Sequence, residues 1–128
     1  MIDVKGLTKT YGDHQVLKGI NEHISKGEKV AIIGPSGSGK STFLRCLNLL
    51  EEPTSGTITF EGVDITNPKN DINKLRARMG MVFQQFNLFP HMTVLRNMTL
   101  APMKLLKKTK EQAEARALEL LDLVGLKD

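Results

Sequence analysis

The chain has 128 residues, a net charge of +4, and the hydrophobic and charged fractions of an ordinary soluble globular domain. Acidic and basic residues are interspersed, which disfavours a nucleic-acid-binding protein. A single cysteine, Cys46, excludes a disulfide within the chain, fits a reducing cytoplasm and is expected to be a small core residue. No signal peptide or membrane-spanning run is present, so we expect membrane association only through a protein partner.

The first 34 residues predict strands. Residues 1–28 contain partly alternating apolar residues and a turn-like "KTYGDH", which predicts two or three short strands. "KVAIIG" (residues 29–34) is a short apolar, β-branched run, which is typical of a buried parallel strand.

The next stretch, "GPSGSGKST" at residues 34–42, has the spacing G-x-x-x-x-G-K-[ST] of the phosphate-binding loop of P-loop NTPases. Glycine at positions 37 and 39 permits positive φ, so that successive N–H groups turn inward around an anion. Lys40 places a charge on the β- and γ-phosphates, and the Ser41 hydroxyl is placed to ligate Mg²⁺. A helix is predicted next, and its N-terminal dipole favours the same phosphates. The alternative is an accidental Gly/Ser turn, which the strand-loop-helix order disfavours.

The remainder alternates between strand and helix patterns. "TITFEG" predicts a strand, "INKLRAR" a short helix at best, and "MGMVFQQ" a strand up to Phe83. Helical patterns begin at Thr93, and Pro102 is expected to end or kink the first helix. Thr109 and Gln112 predict a capping box for the last helix, and Gly125 predicts its C-terminal cap. The apolar stripe predicted on that helix comprises Ala113, Ala117, Leu120, Leu121 and Val124.

Four stretches together resemble the ATP-binding subunit of an ABC transporter: "YG" at residues 11–12, "GPSGSGKST", "PTSGTITFEG" and "MVFQQFNLFPHMTV". Within that family, "RCLNLLEEPTSG" and "FNLFPHMTVLRNMTLAP" are most similar to importers of polar amino acids. The resemblance implies an α/β fold, a P-loop NTPase three-layer core with an N-terminal antiparallel β subdomain and the start of an α-helical subdomain. Residues 1–92 would form the N-terminal part of the core, and residues 93–128 would begin the helical subdomain.

The resemblance also implies the cofactors ATP and Mg²⁺ and a role for each matching residue. Tyr11 corresponds to the aromatic residue that stacks on adenine, although a half-buried turn tyrosine is the alternative. Val16 corresponds to the apolar side chain beside the ribose and base. Gln84 corresponds to the glutamine that coordinates Mg²⁺ together with Ser41 and senses the γ-phosphate. The resemblance makes Lys40 and Gln84 the catalytic candidates. The nucleotide-binding residues implied in the loop are Ser36, Gly37, Ser38, Gly39, Lys40, Ser41 and Thr42.

The segment Phe86 to Pro90 has two open interpretations. An apolar cluster in a loop is ordinarily buried, whereas the resemblance implies a surface that docks a transmembrane permease subunit, with His91 at its rim. Arg96 departs from the family pattern, in which an acidic residue is usual at this position. The resemblance therefore assigns no contact to Arg96. The implied partners are ATP or ADP, the permease and a second ATP-binding subunit in a homodimer, with no nucleic acid. The implied location is the inner face of the cell membrane.

Three catalytic elements of the family do not occur in these 128 residues: the LSGGQ signature, the strand ending in Asp-Glu and the switch histidine. The chain resembles the N-terminal half of such a subunit. We therefore expect an ATPase in the full-length parent but nucleotide binding without efficient hydrolysis in this chain. Without the Asp-Glu strand, "KVAIIG" would present an apolar edge, so we also expect self-association.

Three other classes of protein share features with this sequence. A stand-alone nucleotide- or phosphate-binding module with no catalytic role is the main alternative. An ABC ATPase of the DNA-repair kind would be indicated by zinc-type cysteine pairs or a basic stripe, and neither is present. A small-molecule kinase would share the phosphate loop, but the stretch around Gln84 argues against that class.

Overall fold

The computed structural model describes residues 1–128, which divide into two compact units, residues 1–80 and residues 81–128. The sequence-based division after residue 92 stays a prediction.

The first unit is built on a four-stranded antiparallel sheet with strand order β2-β1-β3-β4. Its strands are β1 (Ile2–Tyr11), β2 (His14–Ile24), β3 (Ser55–Phe60) and β4 (Val63–Asp64). The turn at residues 12–13 joins β1 and β2 into a hairpin whose register shifts at β-bulges. The predicted antiparallel β subdomain is therefore present, although two long strands replace the two or three short ones expected over residues 1–28.

Two helices complete this unit: α1 (Lys40–Leu47) and α2 (Ile72–Arg76). Phe43 and Cys46 are the buried residues of α1, and they join the buried apolar face of the sheet. Cys46 is fully buried, as the sequence predicted, and burial raises the pKa of its thiol. Other members of this core are Val4, Leu7, Leu17, Ile58, Phe60, Ile65 and Leu75.

The C-terminal end of α1 is held by Arg76 of α2. The guanidinium Nε donates to the carbonyl of Asn48 at 2.9 Å, and Nη2 donates to the carbonyl of Leu49 at 2.8 Å. A cation at this end of a helix is favourable because the last carbonyls carry partial negative charge. The contact therefore fixes where α1 ends and links α2 to the helix that follows the phosphate loop.

The N-terminal end of α1 is fixed by contact with β2. Gly39, the N-cap residue, has φ 95°. A Cβ atom at this position would lie 2.8 Å from Val16 Cγ1 and 3.1 Å from Leu17 Cδ2. Position 39 consequently requires glycine for two reasons, its left-handed backbone and the lack of space against β2.

Two segments predicted to be strands, of which only residues 29–34 were predicted to be buried, are not strands in the structure. Neither residues 29–34 nor residues 79–83 join the sheet. Most of their apolar side chains are instead exposed, with Ile33 92% and Val82 97% exposed, whereas Met79 is half-buried against the core. An apolar β-branched run forms a strand only when another strand supplies backbone partners, and β1 to β4 pair with one another.

The second unit contains two helices that pack against each other, α3 (Val94–Leu105) and α4 (Lys110–Leu123). Pro102 lies inside α3, so the expectation that the helix ends there was wrong; the helix continues to Leu105. The predicted capping box at Thr109 is present. Backbone bonds from residue 125 to the Asp122 carbonyl and from residue 126 to the Leu121 carbonyl form a Schellman cap at the predicted position.

The predicted stripe on α4 is only partly buried. Ala113 and Ala117 are buried, whereas Leu120 and Val124 are exposed. The apolar half of α4 that lies beyond Ala117 therefore has little cover in this structure. None of the helices combines the length and the apolar character that a membrane crossing needs.

Replacing glycine 39 by alanine tests the close approach between α1 and β2. Gly37 provides the matched control, because it also has positive φ (80°) but a Cβ there would meet nothing within 4 Å. We expect Gly37→Ala to cost about 1–2 kcal/mol for the left-handed backbone. We expect Gly39→Ala to cost about 1–3 kcal/mol more because of the clash with Val16. Urea unfolding followed by circular dichroism measures both, and equal losses would contradict the contact.

A charge at position 33 tests the predicted self-association. Residues 29–34 expose apolar side chains on a segment outside the sheet, and such a segment favours pairing with another chain. We predict self-association at micromolar concentration in sedimentation velocity, reduced by Ile33→Lys. Leu123→Lys, at an exposed apolar position of α4, is the control and should change the distribution little. A wild-type chain that sediments as a sharp monomer would contradict the prediction.

Candidate functional site

The phosphate loop and β2 enclose a cleft of 590 Å³. Six of its lining residues are loop positions that the sequence assigned to nucleotide binding: Ser36, Gly37, Gly39, Lys40, Ser41 and Thr42. Val16, assigned to the ribose and base, lies in the wall contributed by β2, together with His14. The structure thus brings most of the predicted binding residues to one cleft.

Lys40 is held across the phosphate loop. Its ammonium donates to the carbonyl of Gly34, to the carbonyl of Pro35 at 2.8 Å and to Ser38 Oγ at 3.3 Å. Ser38 does not line the cleft but contributes to this network. The three bonds use the three donors of the ammonium and place its positive charge within the curve of the loop.

The cleft has the electrostatic character of an anion site. None of its lining residues is acidic, and the first turn of α1 contains no acidic residue. The N-cap Gly39 offers no side-chain acceptor, so the first backbone N–H groups of α1 have no capping side chain. These donors, the positive end of the helix dipole and Lys40 together fit a phosphate group.

Magnesium fits this cleft only together with a phosphate ligand. Among the cleft residues, the hydroxyls of Ser36, Ser41 and Thr42 are the side-chain oxygens, and no group of three or more His, Cys, Asp or Glu side chains in the structure could hold a metal ion. Mg²⁺ commonly keeps several waters and takes its remaining ligands from substrate phosphates. An ion bound here would therefore need phosphate oxygens and waters in addition to these hydroxyls.

Tyr11 does not line the cleft, but its partner across the hairpin does. Tyr11 pairs with His14 at the end of β1, and its side chain is 45% exposed. The ammonium of Lys9 lies over the Tyr11 ring, 4.9 Å from its centroid. The same ammonium pairs with Glu51 Oε1 at 2.8 Å. This hydrogen bond lowers the pKa of the Glu51 carboxyl and raises the pKa of Lys9.

The segment Phe86 to Pro90 belongs to the second unit and is exposed throughout, with Phe86 91% exposed. Of the two interpretations of its apolar side chains, a buried core was therefore wrong for this structure. The side chain of Asn97 holds the end of the segment, since Oδ1 accepts from Phe89 N–H at 2.8 Å and Nδ2 donates to the carbonyls of Phe89, Met92 and Thr93. Gln84 lies just before this segment, also exposed, and its metal role stays a prediction.

Three residues of these sites were missed by the sequence reasoning. Lys9 lies two positions before Tyr11, and the period of a strand places such residues on one face, so that signal was available. No motif in the sequence assigns a role to His14, yet it lines the cleft. Asn97 belongs to no recognisable sequence motif, and its contacts with the backbone of residues 89–93 are visible only in the folded structure.

The family model described as ABC transporter matches residues 17–128. The chain is 56% identical over 126 residues to the arginine transport ATP-binding protein ArtM of Bacillus subtilis, covering 98% of this chain and 52% of that protein. It is 53% identical over 128 residues to the glutamine transport ATP-binding protein GlnQ of Bacillus subtilis, covering 100% of this chain and 53% of the relative. The chain thus spans about half the length of these curated relatives.

A solved structure gives the same result for the fold. A dimeric, post-hydrolysis structure of the ATP-binding cassette MJ0796, bound to ADP and Pi, matches with a TM-score of 0.82 and 37% identity. The match covers 98% of this chain and 57% of that one. The predicted α/β fold class of P-loop cassettes is confirmed. The chain belongs to the ABC transporter family of ATP-binding proteins.

Proposed function

We propose that the chain binds ATP with Mg²⁺ in the cleft between the phosphate loop and β2. The observation that carries the proposal is the position of Lys40, whose ammonium lies inside a loop of carbonyls and hydroxyls at the N-terminus of α1. A phosphate would compete with the carbonyls of Gly34 and Pro35 for the same ammonium protons. Replacing these carbonyls by phosphate oxygens is favourable, because the bond between the ammonium and a charged phosphate is stronger than its bond to a neutral carbonyl.

The other predicted residues take their roles around the phosphates. Backbone N–H groups at Gly37 and Gly39 and the side chains of Ser36 and Thr42 surround the phosphate oxygens. Ser41 provides a hydroxyl ligand to Mg²⁺. For Gln84, the family resemblance alone supports a role in that shell and in sensing the γ-phosphate. Tyr11 stacks on adenine, and Val16 packs beside the ribose. Mg²⁺ would supply charge neutralisation and in-line positioning of the phosphates.

In the full-length protein we propose an ATPase that drives the import of polar amino acids. Relatives named for arginine and glutamine transport support this substrate class. The partners would be a second ATP-binding subunit and a transmembrane permease, which docks on Phe86 to Pro90 at the inner face of the membrane. The exposure of Phe86 and the clamp by Asn97 support a preformed docking surface.

The 128-residue chain itself is proposed to bind nucleotide without efficient hydrolysis. No acidic side chain lines the cleft, so no carboxylate there positions the attacking water. The alternative is a stand-alone nucleotide- or phosphate-binding module with no catalytic role. Regulated ATP turnover by the longer protein, dependent on the Lys40 cleft, would distinguish the transporter subunit from that module.

The substitution Lys40→Ala tests the proposal. We expect saturable, Mg²⁺-dependent ATP binding by the wild-type chain and a loss of at least about tenfold in affinity in the variant, because the charged donor to the phosphates is removed. Equilibrium dialysis with labelled ATP measures affinity, and a phosphate-release assay run in parallel should stay at the buffer level.

Lys29→Ala is the matched control, since Lys29 is an exposed lysine just before the loop. It should bind ATP as the wild-type chain does. Equal affinity in the Lys40→Ala variant would show that the cleft is not the binding site. Lys40-dependent phosphate release would show that the chain contains a catalytic base that the structure does not identify.

A further inference from the structure

Lys9 and Glu51 form a cluster with Tyr11, and the proposed function gives neither of these two charged residues a role. The Lys9 side chain is only 14% exposed, although lysine ordinarily extends into solvent. Its ammonium contacts three groups: the Tyr11 ring, the Glu51 carboxylate and the carbonyl of Glu52 at 2.7 Å. A lysine with these contacts is restrained to one position.

The ammonium covers one face of the Tyr11 ring. It lies 4.9 Å from the ring centroid, within the distance at which a cation is attracted by the negative face of an aromatic ring. The Glu51 carboxylate pairs with this ammonium, and that hydrogen bond is the main cause of the lowered pKa of the carboxyl. One face of the ring is therefore covered, while nearly half of the Tyr11 side chain stays exposed.

The same cluster ties this ring to the phosphate-loop helix. The Glu51 N–H donates to the carbonyl of Arg45 in α1 at 3.1 Å. Two further bonds join the following residues to β1: Thr54 N–H donates to the Thr8 carbonyl, and Thr10 N–H donates to Thr54 Oγ1, both at 2.9 Å. The turn after α1 thus connects the helix that begins at Lys40 with the strand that ends at Tyr11.

We propose that Lys9 and Glu51 are positioning residues for nucleobase recognition, which hold Tyr11 so that one ring face is covered by the Lys9 ammonium and the opposite face receives the purine. The inference rests on the proposed function, with Tyr11 as the adenine platform. Its added content is that base recognition depends on two residues that touch no part of the nucleotide. A restrained ring loses less conformational entropy on stacking than a free one.

Comparing ATP with inorganic tripolyphosphate separates recognition of the base from recognition of the phosphates. We expect Lys9→Met to lower ATP affinity by about fivefold while tripolyphosphate affinity stays within about twofold of wild type. Lys9→Arg keeps the cation over the ring and should restore ATP affinity to within about twofold. Lys5→Met, at an exposed lysine of the same strand, should leave both affinities unchanged.

Glu51 acts on the ring through Lys9, because its carboxylate pairs with the ammonium that covers the Tyr11 ring. We therefore expect Glu51→Gln, like Lys9→Met, to reduce ATP affinity more than tripolyphosphate affinity. Equal losses for the two ligands would contradict a positioning role for Glu51.

The possible results separate this inference from the proposed function. If the wild-type chain binds neither ligand, the proposed function fails and the inference fails with it. If Lys40→Ala abolishes binding of both ligands but Lys9→Met binds ATP as wild type does, the phosphate site stands and the positioning role is wrong. If Lys9→Met weakens both ligands equally, Lys9 only supports the fold. If Lys9→Met lowers the affinity for ATP but not for tripolyphosphate, and Lys9→Arg restores the affinity for ATP, the inference is supported.

Discussion

At Gly39 the backbone passes so close to β2 that no side chain fits, and the rest of the candidate site depends on this approach. The contact places the start of α1 against Val16 and Leu17, so that β2 and the phosphate loop together line the cleft. It also determines where α1 begins, and therefore where its first N–H groups and Lys40 point. Arg76 holds the other end of the same helix through the carbonyls of Asn48 and Leu49.

The phosphate loop was the part of the site that sequence reasoning predicted best. Its spacing specifies the positive φ values of Gly37 and Gly39 and the position of Lys40 at a helix start, because each residue type there has a local backbone reason. The antiparallel sheet, the capping box of α4 and the burial of Cys46 were likewise predictable from local patterns.

Other features depend on what a segment meets in the fold, and sequence could not supply that. "KVAIIG" has the composition of a buried strand, but a strand needs backbone partners, and residues 29–34 have none in the sheet. The continuation of α3 through Pro102 is a similar case, since packing against α4 outweighs the lost helix hydrogen bond. The contact of Lys9 with Glu51 joins residues 42 positions apart in the chain, and no local pattern indicates it.

The central claim is that backbone N–H groups of the phosphate loop bind the phosphates of a nucleotide. The most direct measurement is the ¹H–¹⁵N NMR spectrum of the labelled chain during titration with Mg²⁺-ATP. We expect large, saturable shifts of the amide signals of Gly37, Gly39, Lys40 and Ser41, with little change in α4. Saturable shifts confined to other residues, or no shifts at all, would contradict it.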